Sequence, residues 1–204
     1  MRSFFLSLLF SVFLFSLSGT SVFASRIEIL STPTLVTNTS PTSSVAYFGS
    51  LEGTSITFAL KGEDAFILET SIFVPDVDGA TRDFSVLIQD GARHKIASFS
   101  GKGEGNLWQH WFEAWTGEWY WRGADFKAGL PRDTYFLTVS NPKNTGKFVL
   151  VVGGNSPAPS SFSELFSIEM FFGNPSALIQ SRTGGLTLLF LLLIAGFVWL
   201  YRGR

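Results

Sequence analysis

From Val45 to Val152 the chain alternates short apolar runs with turn-forming residues. Val45–Phe48 stops at Gly49. Ile56, Phe58 and Leu60 alternate with Thr57 and Ala59 and stop at Lys61-Gly62. Ala65 to Val74 is a longer run, ended by Pro75. Phe84 to Ile88 ends at Asp90-Gly91, and Lys95 to Ser100 ends in the glycine-rich GKGEG. Thr134 to Val139 and Lys147 to Val152 flank the turn NPKNTG. Runs of this length, bounded by Gly, Asp, Asn and Pro, predict strands whose side chains point alternately to two faces. No long amphipathic helix interrupts them, so parallel βαβ units are not expected. The pattern predicts an all-β fold: a jelly-roll-like β-sandwich over residues 45–154.

The flanks read differently. Arg26 to Leu30 predicts a first short strand, and STPTLVTNTSPTSS after it has little to bury, so residues 25–44 read as a strand followed by an extended link. Asn38-Thr39-Ser40 within it matches an N-glycosylation acceptor. Residues 155–183 read as a neck. There Ser161 and Glu164 have the spacing of a capping box, and Phe162, Leu165, Phe166 and Met170 fit a short amphipathic helix that stops at Gly173-Asn174-Pro175. So short a helix is not stable alone in water. It is expected to pack on the domain, with some phenylalanines turned toward lipid.

The two ends are apolar. Met1-Arg2, the run Phe4 to Leu17 and the small residues Val22-Phe23-Ala24 predict a secretory signal peptide over residues 1–24, cut after Ala24. Residues 184–201, GLTLLFLLLIAGFVWLY after the first glycine, carry no charge and no proline. As a helix this run is roughly 25 Å long, near the low end of what crosses a bilayer core. Trp199 and Tyr201 fall where amphipathic rings favour the headgroup layer, and Arg202 and Arg204 place the tail 202–204 in the cytoplasm. The expectation is a single C-terminal transmembrane helix with the body of the chain outside the cytoplasm. The same tail resembles bacterial sorting tails, but neither LPxTG nor a PEP tripeptide precedes it. Permanent anchoring is the simpler reading.

The closing hairpin carries a family resemblance. Thr134-Tyr135-Phe136-Leu137-Thr138-Val139, a polar turn, then Gly146-Lys147-Phe148-Val149-Leu150-Val151-Val152 is similar to the last strands of the bacterial pre-peptidase C-terminal family and related jelly-roll modules. Over Val45 to Gly153 the resemblance implies a non-catalytic accessory or binding sandwich, and it carries over no active-site residues. Asp133 stands where such modules commonly have Gly.

Composition narrows the classes of function. The 204 residues have a net charge of −1, without the basic stripe a nucleic-acid partner needs. There is no cysteine, so core packing and not disulfides must stabilise the exported domain. The unusual stretch is Trp108 to Trp121, WQHWFEAWTGEWYW, with Trp108, Trp111, Trp115, Trp119 and Trp121. Exposed indoles stack on sugar rings or nest among lipid headgroups, so this stretch and His110 are the candidate ligand-binding residues. Large rings are also often buried. Both readings hold if Trp108 and Trp111 are loop-borne and Trp119 and Trp121, on one strand face, enter the core.

Other chemistry is thin. His110 and Glu113 would share one side of a helical turn, but a metal site needs three or four ligands. Asp76, Asp78 and Asp83 near Gly79 resemble a calcium loop without its full ligand spacing, so no metal and no cofactor is expected. Glu113 and Glu118 are the carboxylates a glycosidase would use, yet no nucleophile or phosphate-binding motif accompanies them. The sequence therefore predicts a membrane-anchored, non-catalytic binding or accessory module for a glycan, peptide or envelope ligand. The alternative is a structural subunit that docks a membrane protein partner through its neck and span. A surface hydrolase is the third reading.

Overall fold

The computed structural model describes residues 26–31, 35–38, 41–100, 108–114, 116–154, 159, 161–181, 185, 188–189 and 191–196. The predicted signal peptide, Trp115 and the tail after residue 196 lie outside the described residues. Residues 25–185 form one compact unit; residues 1–24 and 186–204 belong to another.

The first unit is two β-sheets. One has six strands in the order β1 (Arg26–Ile29), β3 (Val45–Glu52), β11 (Thr145–Val152), β5 (Phe66–Pro75), β9 (Glu118–Leu130) and β8 (Gln109–Glu113). The other has five: β2 (Leu35–Asn38), β4 (Ile56–Lys61), β10 (Thr134–Ser140), β6 (Ser85–Gln89) and β7 (Lys95–Ser100). Among the described residues, only the pairs β1–β3 and β2–β4 are parallel. The predicted sandwich is therefore present, and most strand boundaries fall where the turn residues placed them.

The core lies between the sheets, built from alternate positions. Tyr135, Leu137 and Val139 of β10 and Phe148, Leu150 and Val152 of β11 are all buried in it. Phe84 packs on Phe148 at 5.7 Å and Tyr47 on Phe58 at 4.8 Å. Tyr135 donates its hydroxyl to the Pro131 carbonyl at 2.8 Å, so the buried ring keeps a polar partner.

The six-stranded sheet is buried on its outer face as well. Ala46, Phe48, Tyr120, Val149 and Val151 meet Ile168 and Phe172 of helix α1 (Phe162–Phe172). In the predicted capping box, Ser161 accepts the Glu164 amide at 3.2 Å. Gly173, at φ 78°, closes the helix with its amide on the Glu169 carbonyl. The helix thus packs on the domain, while Phe166 and Met170 face outward. A one-turn helix, α2 (Ala177–Gln180), follows.

Two elements go beyond those expected. The link over residues 31–44 contributes strand β2, and Asn38 of the glycosylation pattern is buried there. The stretch 118–130 is one long strand, which the glycines and charges within it had masked. Of the predicted span 184–201, residues 185, 188–189 and 191–196 are described and helical. Among the described residues no helix is long and apolar enough to cross a membrane.

Candidate functional site

The tryptophan-rich stretch folds as the hairpin β8–β9, at the edge of the six-stranded sheet. The register pairs His110 with Trp121, Trp111 with Tyr120, Phe112 with Trp119 and Glu113 with Glu118. A period of two then sorts the side chains. His110, Phe112, Trp119 and Trp121 share the face that continues into the core. Trp111 and Tyr120 take the other face, where Tyr120 packs against helix α1.

Trp121 stays on the core side because β9 carries an irregularity. Ser71 pairs with Asp125 but Phe73 with Arg122, so β9 holds one residue more than β5 between these pairs. Such a bulge exchanges the faces of the residues beyond it. Phe126, Ala128 and Leu130 point inward on one side of it, and Trp121 on the other.

On that face the rings form a column. His110 stacks on Trp119 at 4.4 Å and 15°, and lies 4.7 Å from Trp121. Phe112 tilts against Trp119 at 5.0 Å. The Arg82 guanidinium lies 4.3 Å from the Trp121 ring centre, a cation–π contact. Asp76 fixes the column from the end of β5. Its carboxylate accepts from Trp121 Nε1 at 2.8 Å and from His110 Nε2 at 2.7 Å. Its own amide donates to the Trp119 carbonyl at 2.9 Å. Partial burial pushes the Asp76 carboxyl up, but these hydrogen bonds and the charges of His110 and Arg82 outweigh it, so it titrates below the usual carboxylate range.

The outer end of this column is open. Phe112 is 37% exposed and Trp119 45%, and on the opposite face Trp111 is 43% exposed. The expected division of the tryptophans is therefore partly reversed. Trp108 packs against the core, where its ring would touch a Cβ on Gly123, and Trp111 is strand-borne and not on a loop. Trp119, expected in the core, is displayed, because it lies near the tip of an edge hairpin. Trp121 is half-buried against the core as expected.

Phe112 and Asp76, the brace, were not among the ligand-binding candidates. Pro75 is paired with Tyr120, and that pairing brings Asp76 to the column; no local motif signals it. The aspartates of the calcium-loop pattern have other partners. Asp76 is committed to His110 and Trp121, Asp83 accepts from Thr81 at 2.5 Å, and Asp78 sits in the turn closed by Ala80 on Val77. Among the described residues no group of three or more His, Cys, Asp or Glu is placed to hold a metal ion. His110 and Glu113, three apart on a strand, point to opposite faces and not to one side of a helical turn.

Behind the column lies a shallow cleft on the outer face, lined by Phe48, Phe73, Trp111, Tyr120, Val149 and Val151, with Glu113 and Thr116 its polar groups. Glu118, the cross-strand partner of Glu113, is buried and accepts from Asn174 Nδ2 at 3.3 Å. It lies against Glu169 of helix α1, which is fully buried. Burial raises both carboxyls, and the neighbouring Glu118 raises Glu169 further, to about 9. Two adjacent carboxyls in an apolar seam cannot both ionise, so one holds a proton at neutral pH. Tyr120 is pushed well above its ordinary value by burial, and by Glu118, Glu169 and Glu113 nearby.

No protein family's sequence profile matches the chain, and no curated protein matches it. Among solved structures, a pre-peptidase C-terminal domain of a collagenase from Bacillus anthracis is similar at 13% identity and a TM-score of 0.33, over 66% of this chain and 98% of that one. It belongs to the family that the closing hairpin resembles. A beta-glucosidase from Paenibacillus barengoltzii is similar at 9% identity and a TM-score of 0.27, over 65% of this chain and 14% of that one. Likenesses this slight carry no argument about function; the sandwich stands on its own strand pairing.

Proposed function

We propose that the protein is a non-catalytic β-sandwich binding module, displayed outside the cytoplasm and tethered to a membrane by its C-terminal apolar run. The ring column of β8–β9 is its contact surface for an envelope ligand. The observation that supports this is the pairing of exposure with rigidity: Trp119 and Phe112 stay open to solvent while Asp76 fixes the rings behind them. Exposed apolar area has a cost in water, and a preorganised patch of it is a mark of a binding surface. The tether is supported by the uncharged run 184–201 and the arginines after it. A non-catalytic role is supported by Glu118, whose carboxyl is closed into the seam with Glu169 and so is withheld from any substrate. Retention of the full chain, held in detergent so that the tether itself does not anchor it, on immobilised cell-envelope extract tests the reading. Trp119→Ala combined with Phe112→Ala should cut retention about tenfold with the fold intact. Undiminished retention by a well-folded variant would sink it.

A second reading has its own observation. Phe166 and Met170, four residues apart on the outward side of helix α1, are 45% and 56% exposed. An apolar pair on that side suits a membrane-protein partner, with the module as a structural subunit. A photo-cross-linker at Met170 that captures only lipid would count against it.

A further inference from the structure

We infer that the ring-bearing tip of the β8–β9 hairpin lies in the lipid–water interface of the membrane that holds the chain, so that bilayer headgroups are what the column contacts. This rests on the proposed tether and names the ligand of the same surface. The first observation is where the chain leaves the sandwich. The hairpin turns at Gly117, whose backbone lies directly against α2: a Cβ there would sit 2.4 Å from the Ser181 amide nitrogen and 2.5 Å from the Ala177 carbonyl oxygen. Asn174 bonds Glu118 beside the turn, and Tyr120 packs on Phe172 at 5.7 Å. The hairpin tip and the exit of the chain thus occupy one end of the domain.

The second observation is how little chain remains. Four residues, and so five Cα–Cα steps, separate Ser181 from Leu186, where the apolar run is under way. Fully extended they reach about 18 Å. The actual reach is shorter, because the Gly185 amide donates back to the Ser181 carbonyl at 2.8 Å and so sits beside it. Headgroup layers add roughly 5–8 Å to each side of a hydrocarbon core. Whatever direction the run takes, a tip beside Ser181 is held within reach of that layer once the run enters lipid.

The third observation is what the tip displays. Trp111 on one face and Phe112 and Trp119 on the other are each more than a third exposed, around a single turn. Indole and phenyl rings gain by leaving water for the interface, and tryptophan favours that depth. The nearby charges are largely spent: Asp76 on His110 and Trp121, Arg122 on Asp125 at 2.6 Å, and Glu118 in the buried seam. The rings act by leaving water and not by charge, so the contact requires no anionic lipid. A zwitterionic surface suffices. The domain would then be held at two points, tether and tip, and its orientation to the bilayer fixed.

The chain has no cysteine, so a single one can be placed at will. Ala114→Cys, in the exposed turn, takes an environment-sensitive fluorophore. Glu63→Cys, exposed in the turn before β5 and so beyond the Leu130 end of β9, serves as the reference. The full chain is reconstituted into phosphatidylcholine vesicles that carry a headgroup spin label, and floated on a density gradient. The expected result is co-flotation, with the label at 114 quenched about twofold more than that at 63 at both low and high salt. Co-flotation with equal quenching at the two positions overturns the inference and leaves the tether standing. A chain that does not float overturns the tether, and the inference falls with it. Shielding of position 114 only when envelope polysaccharide is added assigns the column to a glycan and overturns the lipid contact.

Discussion

Trp121 donates its indole N–H to Asp76 at 2.8 Å, across 45 positions of sequence. The bond ties the exposed rings to the end of a core strand. Asp76→Ala leaves both the indole and His110 without that acceptor, at a partly exposed site where water offsets some of the loss. The expected cost is about 1 kcal/mol, a fall of about 2–4 °C in the melting temperature of a domain this size. Tryptophan emission should also broaden as the column loosens. An unchanged melt and spectrum would show that the rings hold their stack without the carboxylate.

The seam between Glu118 and Glu169 sets a pH dependence. Glu169 titrates near 9 when folded, against an ordinary carboxyl value of 4.5. Between these the folded state binds more protons than the unfolded state, so stability falls as pH rises. The contribution is complete below pH 4.5 and lost through pH 9. Glu169→Gln stays neutral and fills the same space. It should flatten the fall in melting temperature from pH 5 to pH 9 and stabilise the protein at the upper end. Parallel profiles for the two proteins would refute the buried proton.

Gly117 is where the turn meets α2. Its φ is +75°, and a Cβ would collide with backbone at 2.4 Å. Gly117→Ala should cost of order 1–3 kcal/mol. The effect should be local, with faster proteolytic cleavage after residue 172 and little change in the strands. Resistance equal to wild type would mean that the turn and α2 shift apart without cost.

Ser161 caps helix α1 through the Glu164 amide at 3.2 Å. Ser161→Ala should destabilise the neck by about 1 kcal/mol. Hydrogen exchange should quicken in the first turn of the helix more than at its buried end near Phe172. Uniform exchange along the helix would place its stability wholly in packing.

Much of the sandwich was legible because its strands alternate. Val86 and Ile88 on β6, and Tyr135, Leu137 and Val139 on β10, are spaced by two and bounded by turn residues, and all are buried as that spacing requires. The neck helix was legible from its cap at Ser161 and its stop at Gly173. The long strand β9 was not. RGADFKAGL lacks a continuous apolar rhythm, since its bulge exchanges faces midway and its partner β5 supplies the order. Strand β2 was missed for a similar reason: Leu35–Asn38 offers few apolar positions and is held by parallel pairing to β4.

The site divides along the same line. The density of aromatic residues between Trp108 and Trp121 was plain in the sequence, but which rings face water depends on register, bulge and edge position. By itself the sequence determined the alternation of the strands, the apolar run near the C-terminus and the place where the aromatic residues gather. These are properties of neighbours along the chain, set by side-chain period and composition. Tertiary structure alone decided that Asp76 braces the rings, that Glu118 meets Glu169, and that the hairpin turns against the chain's exit. Each joins residues dozens of positions apart, and such meetings are fixed by which strands pair and how the two sheets close on one core.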